Sequence, residues 1–201
     1  MEIVSVFENR TYRALLYIFT PLAFAVLTFL GSQVSIYLPF TPVPITLQVL
    51  TVILAGLMLG PRLGALSQLE YVIAGILGAP VFAGGKFGFA ALAGPTGGYI
   101  VGFIFAAYVT GIIYRRYGNG NNWSLFLSSA SGAITILFFG AAWLAVGFVL
   151  SGLSIFESVT KSVMLGVVPF IAADFLKVIA AAIFMKTNVS GSWRDKASRL
   201  H

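Results

Sequence analysis

The stretch that decides the fold is Ser124-Leu-Phe-Leu-Ser-Ser-Ala-Ser-Gly-Ala-Ile-Thr-Ile-Leu-Phe-Phe-Gly-Ala-Ala-Trp-Leu-Ala-Val-Gly-Phe-Val-Leu150. It holds no charged residue. A helix rises ~1.5 Å per residue, so about twenty apolar residues cross a hydrocarbon core of ~30 Å. The stretch exceeds that length and reads as a membrane span. Working outward, further apolar stretches lie at roughly 13–36, 45–60, 63–79, 98–114 and 163–185. The sequence therefore predicts an all-α, six-transmembrane-helix integral membrane protein, with 1–201 as a single membrane domain. The segments at 45–60, 63–79 and 98–114 are short for a span. Short, Gly-interrupted segments often line a cavity in transporters, where protein or water satisfies an irregular backbone.

Composition points the same way. The chain is 59% hydrophobic and 9% charged, with mean hydropathy +0.97. A typical soluble domain has about 25% charged residues. The twelve Lys and Arg residues are placed by topology. Arg10 and Arg13 precede the first stretch, Arg62 follows the second, and Arg115 and Arg116 follow the fourth. Lys186, Arg194, Lys196 and Arg199 follow the last. Lys86 and Lys161 fall on the opposite side, and Lys177 lies within a span. Cytoplasmic loops are enriched in Lys and Arg, so both termini are expected in the cytoplasm of a cell carrying the protein in its plasma membrane. The basic residues form no stripe with interleaved aromatics, so the net charge of +6 does not indicate nucleic acid. The first apolar stretch is too long for a signal-peptide core.

Two connections on the outer side are unusual. Tyr37-Leu-Pro-Phe-Thr-Pro-Val-Pro-Ile-Thr-Leu-Gln48 is Pro-rich and cannot be regular helix before about Ile45, where Pro44 suits a first helical turn. The segment from Pro80 to Tyr99 is apolar, Gly-rich and too irregular for a span. It reads as a re-entrant loop capping a cavity. A third connection, about 151–162, holds Glu157 and Lys161 at helical i, i+4 spacing. Close helix packing is expected at Gly98 and Gly102, and at Ser128, Gly132 and Ser129, Ala133, which have small-xxx-small spacing.

Ionisable groups inside the spans are Glu70, Asp174 and Lys177. A charge at the bilayer centre costs ~2.5–3.5 kcal/mol even on lenient scales. Asp174 and Lys177 are three residues apart and share a helix face, so each can neutralise the other. Two readings stand: a self-satisfied pair that fixes packing, or the polar end-wall of a pocket. The second suits a ligand with paired N–H and C=O groups, such as a cyclic urea or an amide. Lys86 is either a solvated lysine or a partner for a ligand carboxylate. Thr46 and Gln48 are polar groups at a span's start. Tyr99 and Trp143 are either pocket walls or interfacial belt residues. Glu70 reads as a packing or partner-contact residue.

Several activities have nothing to work with. There is no cysteine, which removes disulfides, thiolate metal sites and thiol nucleophiles. Gly84-Gly85-Lys86 resembles a P-loop ending, but Pro80 and Phe87 replace residues that loop requires. The lone histidine is His201, so a Ser–His arrangement is excluded, and no cluster has metal-ligand spacing. The sequence predicts neither an enzyme nor a cofactor or metal protein.

Four motifs in order, Phe40-Thr-Pro-Val-Pro-Ile-Thr-Leu-Gln48, Leu59-Gly-Pro-Arg62, Gly94-Pro-Thr-Gly-Gly-Tyr99 and Pro169-x4-Asp174-x2-Lys177, closely resemble the BioY family. That family comprises biotin-specific substrate-binding (S) components of energy-coupling factor (ECF) transporters. The resemblance covers almost the whole chain. It implies high-affinity biotin capture from outside, in partnership with a transmembrane coupling protein and two cytoplasmic ATPase subunits. It also implies that Asp174 and Lys177 contact the bicyclic head of biotin, and that Gly84, Gly85 and Lys86 belong to the pocket. The first helix would be the docking surface for the coupling protein, although Pro21 and the unclear Ala-xxx-Ala spacing depart from the family pattern. Ala172-Ala173 stand where relatives often have Pro-Gly. Ile100 stands where many have a polar or basic residue, so Lys86 becomes the candidate carboxylate partner. The alternatives are a same-fold uptake subunit for another small vitamin or carboxylate, and a stand-alone proton-coupled secondary carrier.

Overall fold

The computed structural model describes residues 10–118 and 121–189, with side chains described for 17–118 and 121–187. The side chains of Arg10 and Arg13 lie outside this set, as do Trp193, Arg194, Lys196, Arg199 and His201. The elements are α1 (Arg10–Gln33), β1 (Ser35–Ile36), β2 (Ile45–Thr46), α2 (Gln48–Ile76), α3 (Gly88–Ala93), α4 (Gly97–Tyr117), α5 (Asn122–Leu150) and α6 (Ile155–Gly166). A 3₁₀ turn (Val168–Phe170) and α7 (Ile171–Val189) complete the chain. Among the described residues, four helical runs are long and apolar enough to cross a membrane: Gln48–Ile76, Gly97–Tyr117, Asn122–Leu150 and Ile155–Thr187. A shorter apolar run covers Tyr17–Gln33.

The run α2 is not straight. Gly60 has φ 76° and ψ −177°, a conformation in which a Cβ is strained, and Pro61 follows it. Positions nine residues apart in a straight helix are ~13 Å apart along the axis. Yet a Cβ on Gly64 would lie 2.9 Å from the Ala55 carbonyl oxygen and 3.1 Å from the Gly56 Cα. The chain therefore doubles back at Gly60, and residues 48–59 and 61–76 are two arms packed side by side. They fall where the sequence shows two separate apolar stretches.

Several expected boundaries need correction. The helix beginning near Ile45 starts instead at Gln48. Ile45 and Thr46 pair antiparallel with Ile36 and Ser35, closing the Pro-rich loop as a small hairpin. The Pro80–Tyr99 segment is not structureless. Phe82 and Lys86 form an isolated bridge across a turn at Gly84 and Gly85 (φ 74° and 70°), and α3 follows. The last apolar run is broken rather than continuous. Pro169 stops α6, and the chain passes through the 3₁₀ turn before α7. Glu157 and Lys161 do not pair. Glu157 caps α6 by accepting from the Ser154 N–H at 3.1 Å and hydroxyl at 2.7 Å, in a reciprocal capping box. The Lys161 ammonium sits 5.0 Å from the centre of the Phe148 ring.

Small residues set the packing. Thr110 of α4 is fully buried where a Cβ on Gly56 of α2 or Gly132 of α5 would collide with it. Gly98 lies against Trp143 and Gly102 against Phe139, so α4 and α5 also approach closely. Gly111 packs on the Gly60–Pro61 turn, which brings Arg62, Arg115 and Arg116 to one end of the bundle. The exterior is apolar, with Leu127, Ile134 and Phe138 of α5 all more than half exposed. Such a continuous apolar surface suits lipid and not water. The protein is a helical membrane protein.

Candidate functional site

The site grows from the break between α6 and α7. Pro169 has no N–H, so the Leu165 carbonyl loses its helical donor. The Phe170 N–H turns to Val167 at 3.0 Å, which leaves the Gly166 carbonyl unfilled as well. Buried carbonyls need partners, and side chains from two other elements supply them. The Thr41 hydroxyl, from the Pro-rich loop, donates to Leu165 O at 2.6 Å. The Tyr99 hydroxyl, from the first turn of α4, donates to Gly166 O at 2.6 Å. The Tyr99 ring lies between Gly140 and Gly166, at both of which a Cβ would strike it. These bonds fasten the Pro-rich loop and α4 around the start of α7.

A cavity lies at this junction, with about 520 Å³ of space unfilled by atoms, counting its mouth. Its wall comes from Val43, Pro44, Thr46, Gln48 and Val49, from Ala83 and Thr96, and from Tyr99, Ile100 and Phe103. Ile136, Leu137, Phe170, Asp174 and Lys177 complete it. Asp174 and Lys177 are 3% and 7% exposed, and the ammonium donates to Asp174 Oδ1 at 2.7 Å. This is the one ion pair among the described residues. It uses one ammonium hydrogen and one carboxylate position, leaving both groups with capacity toward the cavity. Elsewhere in the lining, the Thr46 hydroxyl donates to Gln48 Oε1 at 3.1 Å, and Gln48 Nε2 donates to the Tyr71 hydroxyl at 2.6 Å. Apart from Thr96 and the Tyr99 hydroxyl, the remaining wall is apolar and partly aromatic. An occupant would thus be an apolar body bearing a compact group with both donors and acceptors.

Of the residues singled out in the sequence, Asp174, Lys177, Thr46, Gln48 and Tyr99 come together at the cavity. Gly84, Gly85 and Lys86 do not: they form the exposed tip of the loop, and Ala83 beside them lines the wall. Trp143 also stands outside, 43% exposed, with its indole N–H donating to Gly94 O at 3.0 Å. It anchors the segment between α3 and α4. Ile100 itself lines the cavity. The apolar wall residues Phe103, Ile136 and Phe170 were not singled out, because nothing distinguishes them from other core residues until the helices are packed. Tyr71 was also missed. Its spacing from Gln48 becomes meaningful only once α2 folds back at Gly60.

Comparison with known proteins agrees with this architecture. The BioY family's sequence pattern matches residues 9–192. A protein of Pyrococcus horikoshii described as a probable biotin transporter BioY is 44% identical over 162 residues, covering 80% of this chain and 88% of that protein. The biotin transporter BioY of Rhizobium etli is 37% identical over 181 residues, covering 87% and 92%. A solved S-component for biotin from an ECF-type ABC transporter superposes with a TM-score of 0.75 at 24% identity, covering 89% of this chain and 93% of that one. The structural likeness speaks to the fold, and the family pattern with the sequence relatives to descent. This chain belongs to the BioY family.

Proposed function

We propose that this protein captures biotin as the substrate-binding subunit of an ECF-type transporter, holding it in the cavity between the Pro-rich loop, α4 and α7. The observation that carries the reading is the buried Asp174–Lys177 pair lining a small-molecule cavity in a BioY family member. The cyclic urea of biotin presents N–H groups and a carbonyl side by side, matching a carboxylate next to an ammonium. Its thiophane ring and valeryl chain suit Val43, Phe103 and Phe170. Thr46, Gln48 and Tyr99 complete the enclosure. Paired charges keep the empty cavity stable in lipid, because neither ion is left alone.

In this reading the chain crosses the membrane six times, the two arms of α2 counting separately, and both termini are cytoplasmic. Arg62, Arg115 and Arg116 mark the cytoplasmic end. The outer loop with α3 folds over the cavity from the opposite side. The partners are a transmembrane coupling protein and two cytoplasmic ATPases, which supply the energy. Binding energy drives transport only if the partner-bound states hold biotin unequally. Uptake of labelled biotin by cells tests this. The expected result is uptake that depends on the ATPases and is blocked by unlabelled biotin but not by other vitamins. Uptake that follows the proton gradient without the ATPases would identify a secondary carrier instead.

A further inference from the structure

Tyr71 lies on the second arm of α2, 1% exposed, and is not part of the cavity wall. Its hydroxyl donates to the Val81 carbonyl at 3.0 Å and accepts from Gln48 Nε2 at 2.6 Å. A carbonyl can only accept, so the single hydroxyl hydrogen of Tyr71 is committed to Val81. Tyr71 can then only accept from Gln48, and the Gln48 amide must turn its NH₂ toward it. That fixes Oε1 toward Thr46, whose hydroxyl hydrogen is committed in turn. A side-chain amide has two nearly isosteric orientations that differ in which end donates. Here a main-chain carbonyl outside the cavity selects one of them through Tyr71. The Ser32 hydroxyl of α1 lies 2.7 Å from the same carbonyl and 2.6 Å from Phe29 O, and its one hydrogen serves only one of the two at a time. Val81 is two residues from Ala83 of the cavity wall, so the same hydroxyl also ties down the base of the outer loop.

We propose that Tyr71 is a positioning and specificity-determining residue: it sets the donor–acceptor polarity of Gln48 and Thr46, so that Thr46 meets the ligand only as an acceptor. The proposal rests on the biotin reading for its ligand but not for its polarity argument. With Tyr71→Phe the amide is free to turn over, and the Gln48 donor is left without its partner. Loss of such a buried bond weakens binding by about tenfold.

The test is a double-mutant cycle with Gln48→Met, reading biotin affinity in purified protein, together with NMR of the Gln48 side-chain ¹⁵NH₂ group without ligand. The expected result is about a tenfold loss from Tyr71→Phe in the wild-type background and less than a twofold change in the Gln48→Met background. The Gln48 NH₂ resonances should also lose their hydrogen-bonded shift in Tyr71→Phe. Equal losses in both backgrounds would make Tyr71 a packing residue and overturn the proposal, as would unchanged NH₂ resonances. If the wild type binds no biotin while the resonances respond as expected, the biotin reading fails and the positioning role stands.

Discussion

At the scale of single residues, the account turns on groups whose hydrogen bonds have one admissible direction. Pro169 strips donors from Leu165 and Gly166, and Thr41 and Tyr99 replace them. Thr41→Val should therefore leave a part-buried carbonyl unfilled and lower stability by about 1–2 kcal/mol, seen as a lower melting temperature in detergent. Gly140→Ala should act on the site itself, because its methyl would meet the Tyr99 ring. Overpacking of this kind costs about 1–3 kcal/mol, and here it displaces a cavity wall, so a weakened biotin affinity is expected in calorimetry beside the lower melting temperature. The pairing of Asp174 with Lys177 was legible from the sequence, since two opposite charges three residues apart on a helix share a face. The Thr41 bond was not legible. It joins residues 124 apart in sequence, and only the path of the chain reveals it.

At the scale of elements, the apolar stretches and the breaks between them were largely legible, and the failures share one physical cause. Hydropathy reports where the chain is apolar and not where its backbone changes direction. The short hairpin of β1 and β2 took Ile45 and Thr46 from the expected helix because backbone pairing with Ile36 and Ser35 was available nearby. Pro169 divided the last run, although its flanks are equally apolar. The Gly60–Pro61 turn was readable as a boundary, and its tightness depends on small residues facing one another. Gly64→Val should force the two arms of α2 apart, because its Cβ would already lie 2.9 Å from Ala55 O. The expected cost is again about 1–3 kcal/mol, measured as thermal destabilisation, with reduced biotin binding because Gln48 and Tyr71 lie on opposite arms. Lys86 stands at the exposed tip of a loop turned by Gly84 and Gly85 with positive φ, and Ala83 is the residue of that turn that lines the cavity.

At the scale of the whole molecule, the membrane supplies the frame. The apolar exterior and the cluster of Arg62, Arg115 and Arg116 at one end define an axis, and loop residues Val43, Pro44, Ala83 and Thr96 contribute to the cavity wall. The absence of cysteine from the sequence makes the orientation directly testable by single-cysteine labelling. With an impermeant thiol reagent on intact cells, Ser151→Cys should label and Tyr117→Cys should not, the latter reacting only after permeabilisation. Both positions are exposed at helix ends. The reverse pattern would invert the topology and place the cavity toward the cytoplasm.

The central claim, that a buried ion pair recognises biotin in this cavity, is tested most directly by calorimetric titration of the purified wild type beside the double variant Asp174→Leu, Lys177→Met. Removing one partner would strand a buried charge at a cost of about 3–5 kcal/mol, whereas replacing both with apolar residues is often neutral or stabilising. The account predicts submicromolar biotin binding by the wild type, and none by a double variant that melts at the same temperature or higher. Undiminished binding by the double variant would make the pair a packing device and contradict the claim.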